Sequence, residues 1–435
     1  MITARSCALD ILLRCETAGG YSNITLDRAL DKSGLSGPDR ALATELVFGV
    51  IERKITLDHY IGRLSSQSIE KIEPRVLTLI RLGIYQLAFL DRVPPYAAVN
   101  ESVSLAPKRA RGFVNAILRS FMRLERMPEL PEDPIDALSV EFSYPTELCE
   151  LFCAEFGYER CRSLLGAMNS KPTATLRTNT LKTDREGLIS ALSESGIVAE
   201  PTEYAPNGIL TDGGALAKLP LFEKGHFFVQ DEASQICCEA LGARPGETVI
   251  DLCAAPGSKS FGAAINMENC GRVISCDLHK NKLSLIKSGA ERLGIDIIET
   301  RAQDGRYPID ELLGSADRVI CDVPCSGFGV IAKKPEIRYK DVGETEGLPE
   351  IQYAILKNAA RYLKPGGVLV YSTCTILERE NGANVQRFLE ENGDFYAEDF
   401  YVGERRFNAL TTLMPDTDKT DGFFIARLRR KEAND

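Results

Sequence analysis

The chain has 435 residues, of which 44% are hydrophobic and 26% charged, with a formal net charge of −10. That length predicts two or three globular domains, and the balance excludes a disordered, collagen-like or membrane-embedded chain. Thirteen cysteines, an odd number, beside three histidines offer neither a disulfide framework nor a zinc set, so no metal is expected.

From the start to residue 141 the apolar pattern is helical. Ala8, Leu9, Ile11, Leu12 and Leu13 open an amphipathic segment, and residues 42–51 and 76–90 repeat it. Residues 1–5 lack a signal-peptide core and no apolar run approaches the ~18 residues of a membrane span, so a cytoplasmic protein with no membrane partner is expected. Region 1–141 holds 18 basic and 18 acidic residues, which leaves the whole −10 to the remainder. Its charge is uneven: Lys108, Arg109, Arg111, Arg119, Arg123 and Arg126 stand against Glu125 alone between residues 105 and 127. A helix this basic is either a solvated face or a contact for a nucleic-acid backbone. Pro128, Pro131 and Pro134, mixed with acids, predict a linker. Residues 145–168 then read as helical, which makes Cys149 and Cys153 core residues. Residues 173–179 read as a strand, and 184–195 as a helix capped by Asp184. The expected domains are 1–141, all helical; 142–236, a small α+β domain; and 237–435, an α/β domain.

The last region alternates strand and helix, with strands at 249–252, 273–277, 297–304, 318–322 and 367–372 and a closing strand at 423–427. This predicts a mainly parallel, doubly wound, Rossmann-like sheet, with ligands at the carboxyl ends of its strands. The first strand runs into Cys253-Ala254-Ala255-Pro256-Gly257-Ser258-Lys259 and then a helix. A phosphate-cradling loop needs glycine where Ser258 and Cys253 stand, and no G-x-G-x-x-G is present. A loop of small residues beside Asp251 suits a ligand with a cationic amino-acid part and no pyrophosphate, such as S-adenosylmethionine. Asp277, Asp304 and Asp322 end three further strands. Asp277 is placed for ribose hydroxyls and Asp304 for an adenine amino group.

Two more strand ends carry thiols: Asp322-Val323-Pro324-Cys325-Ser326-Gly327 and Ser372-Thr373-Cys374-Thr375. Their strands should be neighbours, about 4.8 Å apart, so both thiols would face one pocket. Cys253, Cys276 and Cys321 read instead as small core residues. Carbon 5 of a pyrimidine is a poor nucleophile. A thiolate adding to C6 makes an enamine whose C5 can attack a sulfonium methyl, and a second polar group can help expel the thiol afterwards. Asp322, three residues before Cys325, is the candidate to hydrogen-bond N3 or the amino group of cytosine.

Together, the three motifs resemble those of the Nop/Sun family of RNA cytosine-C5 methyltransferases. Tyr21-Ser22-Asn23 and Asp39-Arg40-Ala41 resemble pieces of the antitermination factor NusB, and the combination is similar to the Sun-type bacterial enzymes acting on 16S ribosomal RNA. The resemblance implies a NusB-like RNA-binding domain before the catalytic one, with 16S ribosomal RNA as substrate and partner. It also implies Cys374 as nucleophile, Cys325 assisting product release, and Asp322 and Lys259 as further catalytic groups. Cys253, Ala254, Ala255, Pro256, Gly257, Ser258, Lys259, Asp277, Asp304 and Asp322 would contact S-adenosylmethionine in a monomeric enzyme. The chain departs from the family at Ser258, where a second glycine is usual, which narrows the backbone conformations open to the loop. Another RNA or DNA as substrate, a non-catalytic RNA-binding factor and a small-molecule methyltransferase are the competing readings. Two retained thiols oppose the second of these, and about 230 residues before the catalytic domain oppose the third.

Overall fold

In the computed structural model, which describes residues 2–17, 29–213 and 216–432, the apolar repeats of the N-terminal third become helices. Ala4–Thr17, Gly37–Glu52, Lys54–Leu64, Pro74–Phe89, Pro95–Leu105 and Arg111–Met122 enclose one core that includes Leu9, Leu46, Ile61, Leu79, Ile80 and Leu118. Three of these helices carry Pro in the first turn, where its fixed φ fits and its missing N–H would have had no partner. Each buried Leu or Ile contributes about 1.5–3 kcal/mol. That core also holds Arg81, whose guanidinium forks onto both Asp58 oxygens at 2.6 and 2.8 Å and reaches Glu16 at 2.7 Å. Asp39-Arg40-Ala41 lies in the first turns of Gly37–Glu52, whereas Tyr21-Ser22-Asn23 falls outside the described residues.

The predicted basic helix is shorter than 105–127. Lys108–Ala110 is a single 3-10 turn, and the helix Arg111–Met122 ends with Arg123 as its cap. Val114, Ile117, Leu118 and Phe121 face the core, which leaves Lys108, Arg109, Arg111, Arg119, Arg123 and Arg126 exposed. Arg109 pairs with Glu73 at 2.8 Å.

Pro134–Phe142, Thr146–Phe156 and Tyr158–Met168 extend the helical unit, which comprises Met1–Ser170 together with Ile331–Val342. The distant segment is anchored by Arg338, only 1% exposed. Its guanidinium lies 4.4 Å over the Tyr144 ring and donates to the carbonyls of Glu52 and Ser143 at 2.7 and 3.2 Å.

The second unit is Lys171–Val330 with Gly343–Asp435. It opens on a small antiparallel sheet of β1 (Ala174–Thr178), β2 (Ala199–Pro201), β3 (Gly208–Thr211) and β4 (Phe227–Val229), in the order β2-β3-β1-β4. Asp184 caps the helix Arg185–Glu194 as expected, accepting the Gly187 N–H at 2.7 Å. Arg177 on β1 is fully buried and ties this sheet to the helices behind it, donating to Glu239 at 2.9 Å and Asn266 at 2.7 Å.

The large sheet contains β5 (Thr248–Asp251), β6 (Arg272–Asp277), β7 (Ile298–Ala302), β8 (Ala316–Asp322) and β9 (Leu363–Thr373). They pair in parallel in the order β7-β6-β5-β8-β9. Next in the chain come β10 (Phe395–Ala397), the separate pair β11 (Phe400–Val402) and β12 (Arg405–Phe407), then β13 (Leu410–Leu413) and β14 (Phe423–Arg430). β14 lies antiparallel on β9 and carries β10 and β13. Strand residues alternate between two cores. Val249, Val273, Ile320, Val370 and Ile425 join one, and Ile250, Ile274, Cys321, Tyr371 and Phe424 join the other, so both faces are covered. After β7 the chain crosses back to the far side of β5. This reversal opens the sheet between β5 and β8 at its carboxyl edge, where an open α/β sheet takes its ligand.

Candidate active site

Residues 253–257 form the turn between β5 and the helix Ser258–Asn266. Gly257 takes the left-handed step with φ +116°, and a Cβ there would meet the Phe261 ring at 2.5 Å. Ser258 already lies in the helix, so the residue replacing a second glycine needs no left-handed backbone. Asp277, at the end of β6, holds this loop from the side. One carboxylate oxygen accepts the Ala255 N–H at 3.1 Å and the other the His279 N–H at 2.8 Å. Asp251 lies under the loop rather than in it. It is fully buried and accepts the Ser260 hydroxyl at 2.7 Å. Burial raises its pKa to about 7.

From the first turn of that helix Lys259 reaches the end of β8, where its Nζ lies 2.7 Å from Asp322 Oδ2. The Ser372 hydroxyl donates to Asp322 Oδ1 at 2.7 Å, and the ammonium lies 5.1 Å from the centre of the Phe423 ring. Burial opposes the lysine's charge, but Asp322 outweighs it and holds the ammonium's pKa above the usual lysine range.

β8 and β9 pair through Asp322 and Ser372, and the loops that follow bring the Cys325 and Cys374 sulfurs to 3.1 Å. Both are thiols, not a disulfide. Burial is the first cause that raises the core thiols, pushing Cys276 up to about 12 and Cys253 and Cys321 well above the ordinary value. Cys325 is also pushed well up, but there the hydrogen bond with Cys374 comes first and burial second. The structure thus brings Lys259, Asp322, Cys325 and Cys374 together and fastens Asp277 to the loop of residues 253–257. Asp304, just beyond β7, has its carboxylate forked by Arg306 at 3.0 and 2.7 Å, a partner two residues away that the sequence reading overlooked. A separate cavity of about 280 Å³, lined by Arg272, Ile274, Glu299, Thr300, Arg301, Glu311 and Leu312, includes none of the expected site residues.

The Rossmann-like sheet, with Asp277 beside its first turn and the Lys259–Asp322 pair at the β5/β8 opening, is a methyltransferase fold. Comparison with known proteins narrows the class. Residues 238–429 match the 16S rRNA methyltransferase RsmB/F model, residues 2–123 the NusB family, and residues 144–215 the RsmF/B-like ferredoxin-like domain. The chain is 36% identical over 446 residues to the probable ribosomal RNA small subunit methyltransferase B of Bacillus subtilis (strain 168), covering 99% of each chain. It is 37% identical to the protein of that name from Synechocystis sp. (strain ATCC 27184 / PCC 6803 / Kazusa), with 99% of this chain and 100% of the relative covered. Among solved structures it resembles PH0851, at 25% identity, a TM-score of 0.83 and 99% coverage of both chains. A methyltransferase homolog protein from Pyrococcus horikoshii matches at 27% identity and a TM-score of 0.60, over 69% of this chain and 100% of that one. The chain belongs to the 16S rRNA methyltransferase RsmB/F family.

Proposed function

We propose that this protein transfers a methyl group from S-adenosylmethionine to C5 of a cytosine in 16S ribosomal RNA, through a covalent bond between Cys374 and C6. The observation that carries this reading is the 3.1 Å approach of the Cys325 and Cys374 sulfurs at adjacent strand ends. A packing role needs neither thiol at a sheet edge.

The donor set fits S-adenosylmethionine. Asp277 suits ribose hydroxyls, Asp304 an adenine amino group, and the turn of residues 253–257 leaves room beside them with no phosphate cradle. When bound, the donor supplies an electrophilic methyl group. The cytosine must be unstacked, because C6 is inaccessible to a thiol inside a helix. Asp322, paired with Lys259 at 2.7 Å, is an acceptor for the cytosine amino group. Lys259 keeps N–H groups to donate to N3 or O2. The Cys374 thiolate adds to C6, the electron pair moves to C5, and C5 takes the methyl as its bond to the donor sulfur breaks, that sulfur keeping the bonding pair and leaving as a thioether. Cys325, whose sulfur lies 3.1 Å from that of Cys374, passes its proton to water and as the thiolate takes the C5 proton. The C6–S bond breaks, giving 5-methylcytosine and the Cys374 thiolate. The exposed cations from Lys108 to Arg126 would meet the RNA backbone, with region 1–141 as the RNA-binding part, 142–236 as a small α+β domain and 237–435 as the catalytic one.

The two single-thiol variants test this. Cys374→Ala should bind both substrates yet transfer no methyl group. Cys325→Ala should form the adduct and release it slowly, leaving an enzyme–RNA species that survives denaturing electrophoresis and is absent from the double variant. An adduct with Cys374→Ala and none with Cys325→Ala would reverse the roles. Intact activity in both variants would remove covalent catalysis.

A further inference from the structure

Neither thiol explains why the two sulfurs stay together. They sit on separate loops, 49 residues apart in the chain, with no covalent restraint between them. The residues that flank them are held by two neighbours in the sequence, Glu380 and Asn381, which lie in a 3-10 turn and at its cap after β9 and are 0% and 1% exposed.

Glu380 acts on the Cys325 side. Its Oε2 accepts the Ser326 N–H at 2.9 Å and the Gln352 side-chain N–H at 2.8 Å. The same Gln352 nitrogen donates to the Pro324 carbonyl at 3.0 Å. The peptide groups before and after Cys325 are therefore both tied, directly or through Gln352, to one buried carboxylate. Asn381 acts on the Cys374 side. Its Oδ1 accepts the Thr373 hydroxyl at 2.5 Å, and its Nδ2 donates to the Thr375 carbonyl at 3.0 Å. Two cross-ties close the frame: Ser326 Oγ to Thr375 Oγ1 at 2.7 Å, and the Gly329 N–H to the Cys374 carbonyl at 3.0 Å.

We infer that Glu380 and Asn381 are positioning residues that set the distance between the two thiols, Glu380 through the backbone around Cys325 and Asn381 through the residues around Cys374. Burial makes the device stiff, because a buried hydrogen bond cannot be exchanged for one to water and its loss leaves an unsatisfied group. Adjacency in the chain makes it a single part, so displacing either side chain shifts one thiol relative to the other. The inference rests on the proposed roles of Cys325 and Cys374 for its effect on methyl transfer, but not for its effect on geometry.

The test separates the two. In the full-length protein, Glu380→Ala and Asn381→Ala are compared with the conservative variants Glu380→Gln and Asn381→Asp, each of which keeps one of the original acceptors. Dibromobimane, which bridges thiols only when they are close, measures the approach of Cys325 to Cys374, with the cross-linked peptides identified by mass spectrometry. Steady-state methylation measures kcat and KM for RNA, and titration calorimetry measures donor affinity. Both alanine variants should cross-link at least about tenfold more slowly and lose up to about 10²-fold in kcat, the cost of a misplacement on the order of 1 Å. KM and donor affinity should stay within about twofold, because the clamp touches neither ligand. The conservative variants should recover part of kcat. An unchanged cross-linking rate in variants that bind the donor normally would overturn the inference. So would a loss confined to KM. Slow cross-linking with unimpaired methyl transfer would uphold the clamp and overturn the catalytic roles proposed for the thiols. If the alanine variants do not fold, the conservative pair carries the same readouts, and unchanged cross-linking and kcat in both would equally overturn the inference.

Discussion

The two halves of the sheet's carboxyl edge are built differently. At β5 and β6 the loop of residues 253–257 is short and held by the end of the adjacent strand: the Asp277 carboxylate takes the Ala255 N–H, the Cys276 carbonyl takes the Ala254 N–H, and Gly257 supplies the one left-handed step. At β8 and β9 the thiols depend on side chains brought from elsewhere, with Ser372, Gln352, Glu380 and Asn381 each reaching across from another segment. Lys259 joins the halves, since it leaves the first and ends on Asp322 in the second. A binding loop needs a shape, which a turn provides. A pair of reacting groups needs a distance, which only a packed frame can hold.

Removing that joint should have the largest effect. Lys259→Met leaves Asp322 without its counter-charge in a site whose lysine side chain is 9% exposed, and should cost about 3 kcal/mol of unfolding free energy in urea. Lys259→Met combined with Asp322→Leu should recover much of it. A single-variant loss below about 1 kcal/mol would mean that water screens the pair, as it does for surface bridges, and that the halves are not joined there.

Beneath the first half, Asp251 should show itself through pH. Its folded pKa of about 7 stands above the unfolded value of about 3.9. Between those values the folded chain keeps a proton that the unfolded chain has released, so this residue's contribution to stability falls as pH rises and is gone above about 7. Asp251→Asn has no such titration. Relative to wild type it should therefore gain on the order of 2 kcal/mol from pH 5 to pH 7, read from urea midpoints. Parallel profiles would assign Asp251 an ordinary ionised state.

Asp277→Ala should loosen the loop and weaken S-adenosylmethionine binding by about 1.5 kcal/mol, measured by calorimetry, while leaving the cross-linking of the thiols untouched. A fall in both would show that the two halves move as one. The smallest effect lies outside the sheet. Neutralising Arg119 and Arg123 should lower the slope of log affinity for RNA against log salt by about 1.5, with donor binding constant. An unaltered slope would make these exposed cations a solvated face.

Much of this protein is written locally. The strand–turn–helix at residues 248–266 follows from a β-branched run, small residues with a Pro-Gly pair and a helix-forming stretch, all of which act within a few residues of one another. The two-residue alternation of Val249 and Ile250, or Val370 and Tyr371, states which face each side chain takes, because a strand has no other periodicity. The motifs around Cys325 and Cys374 were legible for the same reason, each being contiguous and placed after a recognisable strand. What the chain could not show by itself is every relation that depends on distance through space. The pairing of Lys259 with Asp322 spans 63 residues. The inclusion of Ile331–Val342 in the helical unit depends on Arg338 finding Tyr144 and two carbonyls. The engagement of Asp304 by Arg306 turns on side-chain geometry that spacing leaves open. Glu380 and Asn381 look in sequence like an ordinary polar pair before a helix. Only after β9 pairs with β8, and the loops beyond them fold down, does burial remove water as their partner and leave the residues beside the two thiols as the groups they must bind.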